Sequence, residues 1–185
     1  MEKNLQQDLN YTKCGAELVY QGTAVSFYKE HIKLPDGRMV EWDLIQHPGG
    51  AAVLPIDDEE NVLLVEQYRN ALERITLEIP AGKREAGEAY EVCAARELEE
   101  ETGYYSEHIV PLGKSAPAVG YSNEVLGLFY ADHLKKSCQN LDEDEWIHVK
   151  KYSLTEAVNM VMQGKIIDSK TVSAILMYAQ CKQEK

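Results

Sequence analysis

Arg96, Glu97, Glu100 and Glu101 crowd one short stretch, and residues of these types at this spacing are equipped to hold a metal ion. On a helix, at about 100° per residue, the three glutamates fall within roughly 100° of arc. Charges so close repel one another. At about 4 Å and an effective dielectric of about 20, each pair costs about 4 kcal/mol before screening. A divalent cation reverses that sign, and oxygen-only ligands suit Mg²⁺ or Mn²⁺ rather than zinc. The plain alternative is a solvated acidic helix face, which is what most charge runs are.

The arc exists only if a helix does. Ala89 to Glu101 is dense in Ala, Leu, Glu and Arg, all good helix formers, and Gly103 supplies a stop. Val92, Ala95, Leu98 and Thr102 lie largely on the other side and are expected to face a core. A glycine-bearing loop from Gly82 leads into this helix. The spacing is Gly82, five residues, Glu88, seven residues, Arg96-Glu97-Leu98, one residue, Glu100-Glu101, one residue, then Gly103 and a bulky residue. This resembles the Nudix box of the Nudix hydrolases, with every fixed position filled. Seven fixed identities coincide at a given site by chance roughly once in 10⁸, which outweighs the plain reading. Tyr104 stands where the family usually has an aliphatic residue, a difference of packing rather than chemistry.

The other elements can be read in order. Residues 1–13 are polar and read as loose. Glu17 to Tyr20 and Ala24 to Tyr28 read as strands, and Ile32 to Leu34 leads into the turn Pro35-Asp36-Gly37. Met39 to Gln46 follows, which makes the first ~45 residues a small antiparallel meander. Pro48-Gly49-Gly50 marks the boundary, giving an N-terminal segment 1–47 for dimerisation or as a substrate lid, and a main domain 48–185. Ala51 to Ile56 reads as a buried strand with Val62 to Tyr68 as its hairpin partner. Leu77 to Ala81 is a short strand running into the box. Ile109 to Leu112, Glu124 to Ala131 and Trp146 to Lys150 are further strands, and Cys138 to Glu145 is a polar acidic loop. Ser153 with Glu156 forms a capping box for a helix ended by Gly164. Asp168 or Ser169 caps a last helix whose apolar face is Val172, Ile175, Leu176 and Ala179. Strands, box helix, strands and then helices spell an α/β fold with a mixed sheet between helices.

Beyond the box the chain resembles the ADP-ribose pyrophosphatase branch of the family. The resemblance runs through the N-terminal meander, Glu66-Gln67-Tyr68-Arg69, Leu77-Glu78-Ile79-Pro80-Ala81-Gly82 and Asp142-Glu143-Asp144-Glu145. It implies the Nudix α/β/α sandwich and two or three Mg²⁺ or Mn²⁺ ions per site. It also implies Glu97, Glu101 and the Ala81 carbonyl as ligands, with Glu100 a ligand or a group just behind them. Arg96 is read as a fixed cation orienting carboxylates rather than as a catalytic group. Gly82, Glu88 and Gly103 shape the box. Arg69, at a strand end beside the box, is the better phosphate ligand, because its guanidinium can fork onto phosphate oxygens. The general base falls on Glu143 of the acidic loop, with Glu145 as the alternative. Glu78, Gly120 and Glu124 join Arg69 on the substrate side.

The branch usually carries Ser-Pro-Gly in the loop before Glu124, where this chain has Ala118-Val119-Gly120. The resemblance implies a nucleoside diphosphate sugar as substrate, with ADP-ribose first; the changed loop bears on that choice, and GDP-mannose or another nucleotide sugar is second. Trp42, Phe27 and Tyr121 are candidates to stack on a base. A catalytically dead nucleotide-sugar sensor is the rival reading, and the intact glutamates speak against it. The resemblance further implies a homodimer built partly from residues 14–47.

Composition sets the outer limits. The chain has 185 residues, 44% of them hydrophobic and 27% charged, enough for one core with a small appended unit. A net charge of −12 without a basic patch excludes a nucleic-acid polymer as partner. No apolar run reaches the roughly 18 residues of a membrane span, and Met1 to Gln7 does not read as a signal peptide. Cys14, Cys93, Cys138 and Cys181 are scattered and read as free thiols in a cytoplasmic protein.

Overall fold

The computed structural model describes residues 9–183, and the chain divides into two compact units. One ends at His47 and takes in Ala118–Glu124; the other comprises Pro48–Pro117 and the chain from Val125 onward. Most of the polar start, residues 1–8, lies outside the described residues, and Thr12 and Lys13 already belong to the first strand.

The first unit is a three-stranded antiparallel meander. Its strands are β1 (Thr12–Gln21), β2 (Ser26–Lys33) and β3 (Met39–Gln46), in the order β1-β2-β3. The β2–β3 turn has Gly37 at φ 90°, where glycine alone carries no steric penalty. Ile45 bridges Ser122, so Ala118–Glu124 extends the far edge of β3. Among the described residues Ile32 is the buried hydrophobic residue of this unit, whereas Leu18, Val19, Tyr20, Met39 and Trp42 are exposed.

The second unit carries the remaining elements. They are β4 (Gly50–Pro55), β5 (Asn61–Arg69), β6 (Arg74–Glu78), β7 (Ala81–Lys83), α1 (Tyr90–Thr102), β8 (Tyr104–Tyr105) and β9 (His108–Ser115). After them come β10 (Leu126–Asp132), β11 (Lys135–Lys136), β12 (Ile147–Ser153), α2 (Leu154–Met162) and α3 (Ser169–Gln183). One sheet runs β7-β4-β10-β9, with β4 and β10 parallel and the other pairs antiparallel. A second runs β12-β5-β6.

All of β4 is buried, which explains its unbroken small and apolar sequence. Its side chains alternate between two cores. Ala51 and Val53 pack with Phe129, Ala131, Cys93, Ala94 and Leu98 under α1. Ala52 and Leu54 pack with Leu64, Leu128, Ala157, Ala174 and Ile175 beside α2 and α3. The result is the expected sandwich of helices on both faces of a mixed sheet.

Three expectations are corrected. The strands β4 and β5 are not a hairpin, because both edges of β4 are taken by β7 and β10 while β5 pairs with β6 and β12. The isolated bridge Ile56–Val62 links their ends, above a turn in which Glu60 has φ 62°. On α3 the buried side is Thr171, Ala174, Ile175 and Tyr178, and Leu176 is exposed. On α1 Val92 is exposed, whereas Glu97 and Glu101 join Cys93, Ala94 and Leu98 on the buried side.

Candidate active site

The loop before α1 is built around the absence of a side chain. β7 lays Gly82 against the helix so closely that a Cβ there would stand 2.0 Å from Glu97 Oε1. Gly103 ends the helix in the left-handed conformation at φ 69° and donates its N–H to the Glu99 carbonyl. The helix thereby holds two of its three carboxylates, those of Glu97 and Glu101, inside the fold instead of offering them to water, and Glu100 is partly exposed. Glu97 is 8% exposed and Glu101 3%, so the solvated-face reading fails for both.

Arg96 organises the cluster. Its Nη1 donates to Glu97 Oε1 at 2.6 Å and to Glu100 Oε2 at 2.8 Å. Its Nε reaches Glu88 Oε1 at 3.0 Å, and its Nη2 reaches the Lys83 carbonyl at 3.0 Å. Its hydrogen bonds to Glu88 and Glu100 hold the guanidinium firmly protonated against the cost of burial. Glu88 is kept below the usual carboxylate range by Arg96 and accepts the Glu85 N–H at 2.9 Å. Cys93, beneath them, is pushed up to about 12 by burial and by the charges of Glu88 and Glu97, so its thiol is inert.

Glu101 is the least satisfied of the three carboxylates. Burial, followed by the charges of Glu97 and Glu145, pushes it up to about 8, while the Ala81 backbone N–H and Lys170 pull the other way. Its Oε2 is buried with no hydrogen-bond partner among the described residues. Glu97 is raised by burial first and also by the charges of Glu100 and Glu145, with Arg96 opposing. An orphaned buried oxygen within an all-oxygen donor set fits a hard divalent cation, which would take up that oxygen and cancel the repulsion.

Of the two acidic-loop glutamates, Glu145 is half-buried and its charge bears on both Glu97 and Glu101, whereas Glu143 is exposed. The Glu145 N–H donates to the Asp142 carbonyl at 3.0 Å, closing the turn that presents it. Sequence reasoning missed what anchors this loop. Asn140 N–H donates to the Glu100 carbonyl at 2.9 Å, Ser137 N–H to the Gly103 carbonyl at 2.7 Å, and Gln139 Nε2 to the Glu101 carbonyl. The loop is thus tied to the otherwise unpaired carbonyls at the end of α1.

A second ionic group adjoins the first. Arg69 forks onto Glu78 through Nε and Nη2, both at 2.7 Å. Thr76 Oγ1 donates to Glu78 at 2.6 Å, and Lys170 Nζ completes the set. Each Glu78 oxygen therefore accepts two hydrogen bonds, and the residue is 3% exposed. Burial works against its charge, but Arg69, Lys170 and Thr76 outweigh it and hold the carboxyl at about 2. Direct contact with substrate, as expected for Glu78, is not what this geometry offers; the carboxylate is saturated from within.

Lys170 was not anticipated. It is buried on α3, bonds Asp168 Oδ2 at 3.0 Å, and sits beside the Asp168 cap of Thr171 N–H. The available signal was a lysine four residues before Ala174 and eight before Tyr178, inside the buried stripe.

Two expected substrate residues belong to the first unit. Glu124 Oε1 lies 3.7 Å from His47 Nδ1. Gly120 sits in a turn where the Ala118 carbonyl accepts both Tyr121 N–H and Ser122 N–H. The loop is therefore closed on itself, although Val119 is exposed. Trp42 packs against Tyr11 at 5.6 Å between ring centroids, and Tyr121 is exposed.

A helix-borne carboxylate cluster closed by a glycine loop, on an α/β/α sandwich, defines a hydrolase class that works on phosphate anhydrides with divalent ions. The NUDIX domain model matches residues 46–172, and the chain belongs to this family of Nudix hydrolases. It is 37% identical to an ADP-ribose pyrophosphatase of Bacillus subtilis, over 90% of this chain and 91% of that protein. It is 39% identical to a methanol dehydrogenase activator of Bacillus methanolicus, over the same shares. In fold it matches a crystal structure of an ADP compounds hydrolase with a TM-score of 0.84 at 19% identity, over 95% of this chain and 96% of that one. Among the described residues no helix is long and apolar enough to cross a membrane.

Proposed function

We propose that this protein hydrolyses the pyrophosphate bond of nucleoside diphosphate sugars, with ADP-ribose as the preferred substrate and AMP and ribose 5-phosphate as products. The observation that carries the reading is the buried pair Glu97 and Glu101, with an orphaned Glu101 oxygen beside the Gly82 loop. The identity to an ADP-ribose pyrophosphatase over most of both chains supports the substrate. Glu97, Glu101, Glu100 and the Ala81 carbonyl would hold Mg²⁺ or Mn²⁺, two or three ions in all. Bound there, the metal supplies charge neutralisation on the pyrophosphate and a more acidic water.

The chain's own residues do the rest. Arg96 fixes the Glu97 and Glu100 carboxylates in place. Arg69 commits two of its five N–H donors to Glu78, which leaves three for phosphate oxygens. Glu78 therefore acts through Arg69 rather than on the substrate. Glu145, whose loop is tied to the end of α1, takes the proton from the attacking water at its carboxylate. Glu124 and the Gly120 turn are assigned to the sugar side.

The exposed Leu18, Val19, Tyr20, Met39 and Trp42 support a homodimer that covers the first unit. Light scattering at micromolar concentration should give twice the mass of one chain; a fully active monomer would overturn this part. For the substrate, the test is a panel of nucleotide sugars incubated with Mg²⁺ and the products identified. ADP-ribose should give AMP and ribose 5-phosphate. Turnover of GDP-mannose alone would move the assignment, and no turnover of any member would favour a binding module.

A further inference from the structure

Two imidazoles and a carboxylate meet at the end of β10, away from the glutamate cluster. His108 opens β9 and is the cross-strand partner of Asp132, which ends β10. His108 Nδ1 lies 2.5 Å from Asp132 Oδ1, and His133 Nε2 lies 3.8 Å from the same oxygen. One donor atom from each of the three falls within 4.8 Å of the others.

The backbone at this point is specialised. His133 has φ 53°, a left-handed conformation that few non-glycine residues adopt, and it turns the chain out of β10 so that its ring comes within 5.8 Å of the His108 ring. Ser106 fastens both strands: its Oγ donates to the Asp132 carbonyl and accepts the His108 N–H at 2.9 Å. His108 and Asp132 thus stand on fixed strand ends, and of the two exposed rings that of His133, just past β10, is the more exposed.

The donor set differs in kind from the catalytic one. Glutamates and a carbonyl select hard cations, whereas two imidazoles with one carboxylate suit Zn²⁺ or its first-row neighbours. The two places are also separate. Leu128 is level with Ala52, which pairs with Ala81 at the glutamate cluster, and Asp132 lies four residues further along β10, about 13 Å at about 3.3 Å per residue.

We propose that His108, Asp132 and His133 form a second metal site, which binds one borderline divalent ion such as Zn²⁺ and clasps the turn after β10. Donors on a tetrahedral ion with bonds of about 2.0 Å stand about 3.3 Å apart, so on binding His133 Nε2, 3.8 Å from Asp132 Oδ1, closes slightly while His108 Nδ1, 2.5 Å from the same oxygen, opens. A Zn²⁺ ion there keeps an outward position for water.

The test is Zn²⁺ binding by calorimetry, with thermal melting alongside. In the Glu97→Gln/Glu101→Gln background, which disables the catalytic cluster, one Zn²⁺ should bind and raise the melting temperature. Adding His133→Ala or His108→Ala should weaken that binding by roughly tenfold or more, since loss of even an outer partner of a metal ligand costs about that. The wild-type chain saturated with Mg²⁺ should show the same single Zn²⁺ site and the same loss in His133→Ala, so the result does not hang on one background folding. His133→Ala should leave Mg²⁺-supported hydrolysis unchanged. Equal Zn²⁺ affinity with and without His133 in both settings, or no Zn²⁺ bound in either, would overturn the proposal.

Discussion

The Glu97 carboxylate occupies the space in which any side chain at position 82 would have to stand: a Cβ on Gly82 would lie 2.0 Å from its Oε1, 2.2 Å from its Cδ and 2.5 Å from its Oε2. The glycine is thus needed for what it leaves out. Gly82→Ala should displace Glu97 while α1 and the sheet persist. A misplacement of about 1 Å can cost about 10² in rate, so kcat should fall by about that much with a native circular dichroism spectrum. A fully active Gly82→Ala enzyme would show that Glu97 is free to move.

The raised Glu101 gives the metal-free protein a distinctive pH dependence. Its folded-state value of about 8 lies above the ordinary 4.5, so the folded protein holds a proton that the unfolded chain releases. That contribution is fully present below about pH 4.5 and is lost as pH rises through about 8. In EDTA, stability should therefore decline between about pH 5 and pH 8, and excess Mg²⁺ should cancel the decline. Denaturant melts at several pH values check this. A metal-free protein that gains stability over that range would contradict it.

Glu145 and Glu143 are separated by their surroundings. Glu145 is half-buried and its charge bears on Glu97 and Glu101, whereas Glu143 is exposed. Glu145→Gln should lower kcat by about 10²–10⁴ with little change in KM, as for loss of a general base. Glu143→Gln should be milder. Steady-state kinetics on both variants decides, and the reverse order would return the role to Glu143.

Glu78 is the hub beneath Arg69. Removing its charge leaves Arg69 and the buried Lys170 without their shared partner, and breaking a buried pair costs about 3–5 kcal/mol. Glu78→Gln should lower the melting temperature and raise KM for the nucleotide sugar, because Arg69 loses its alignment. An unchanged KM would show that Arg69 does not bind the phosphate.

The sequence made the box, its helix and the order of strands legible because each is local. Gly82, Glu88, Arg96 and Gly103 sit at fixed spacings, and β4 announces its burial by composition. What stayed hidden is long-range. The Lys170–Glu78 bond spans 92 residues of chain, and no local pattern encodes it. The division of β4 and β5 between two sheets depends on β10 and β12, which arrive much later. The side of α1 that is buried was misjudged at Val92 because apolar character was taken to mark the core, while the real core face admits two glutamates. The acidic loop's anchors, Gln139 and Asn140, reach helix carbonyls whose need for partners shows only once the helix end is placed.

In the proposed function, buried carboxylates on α1 hold the ions that make pyrophosphate hydrolysis possible. The rate of AMP formation from ADP-ribose as Mg²⁺ is titrated, for the wild-type chain and for Glu101→Gln, tests this. The wild type should be inactive in EDTA and saturate with Mg²⁺, and Glu101→Gln should require far more Mg²⁺ and reach a much lower rate with its fold intact. Turnover that persists in chelator, or a Glu101→Gln enzyme with the wild-type Mg²⁺ curve, would contradict the account.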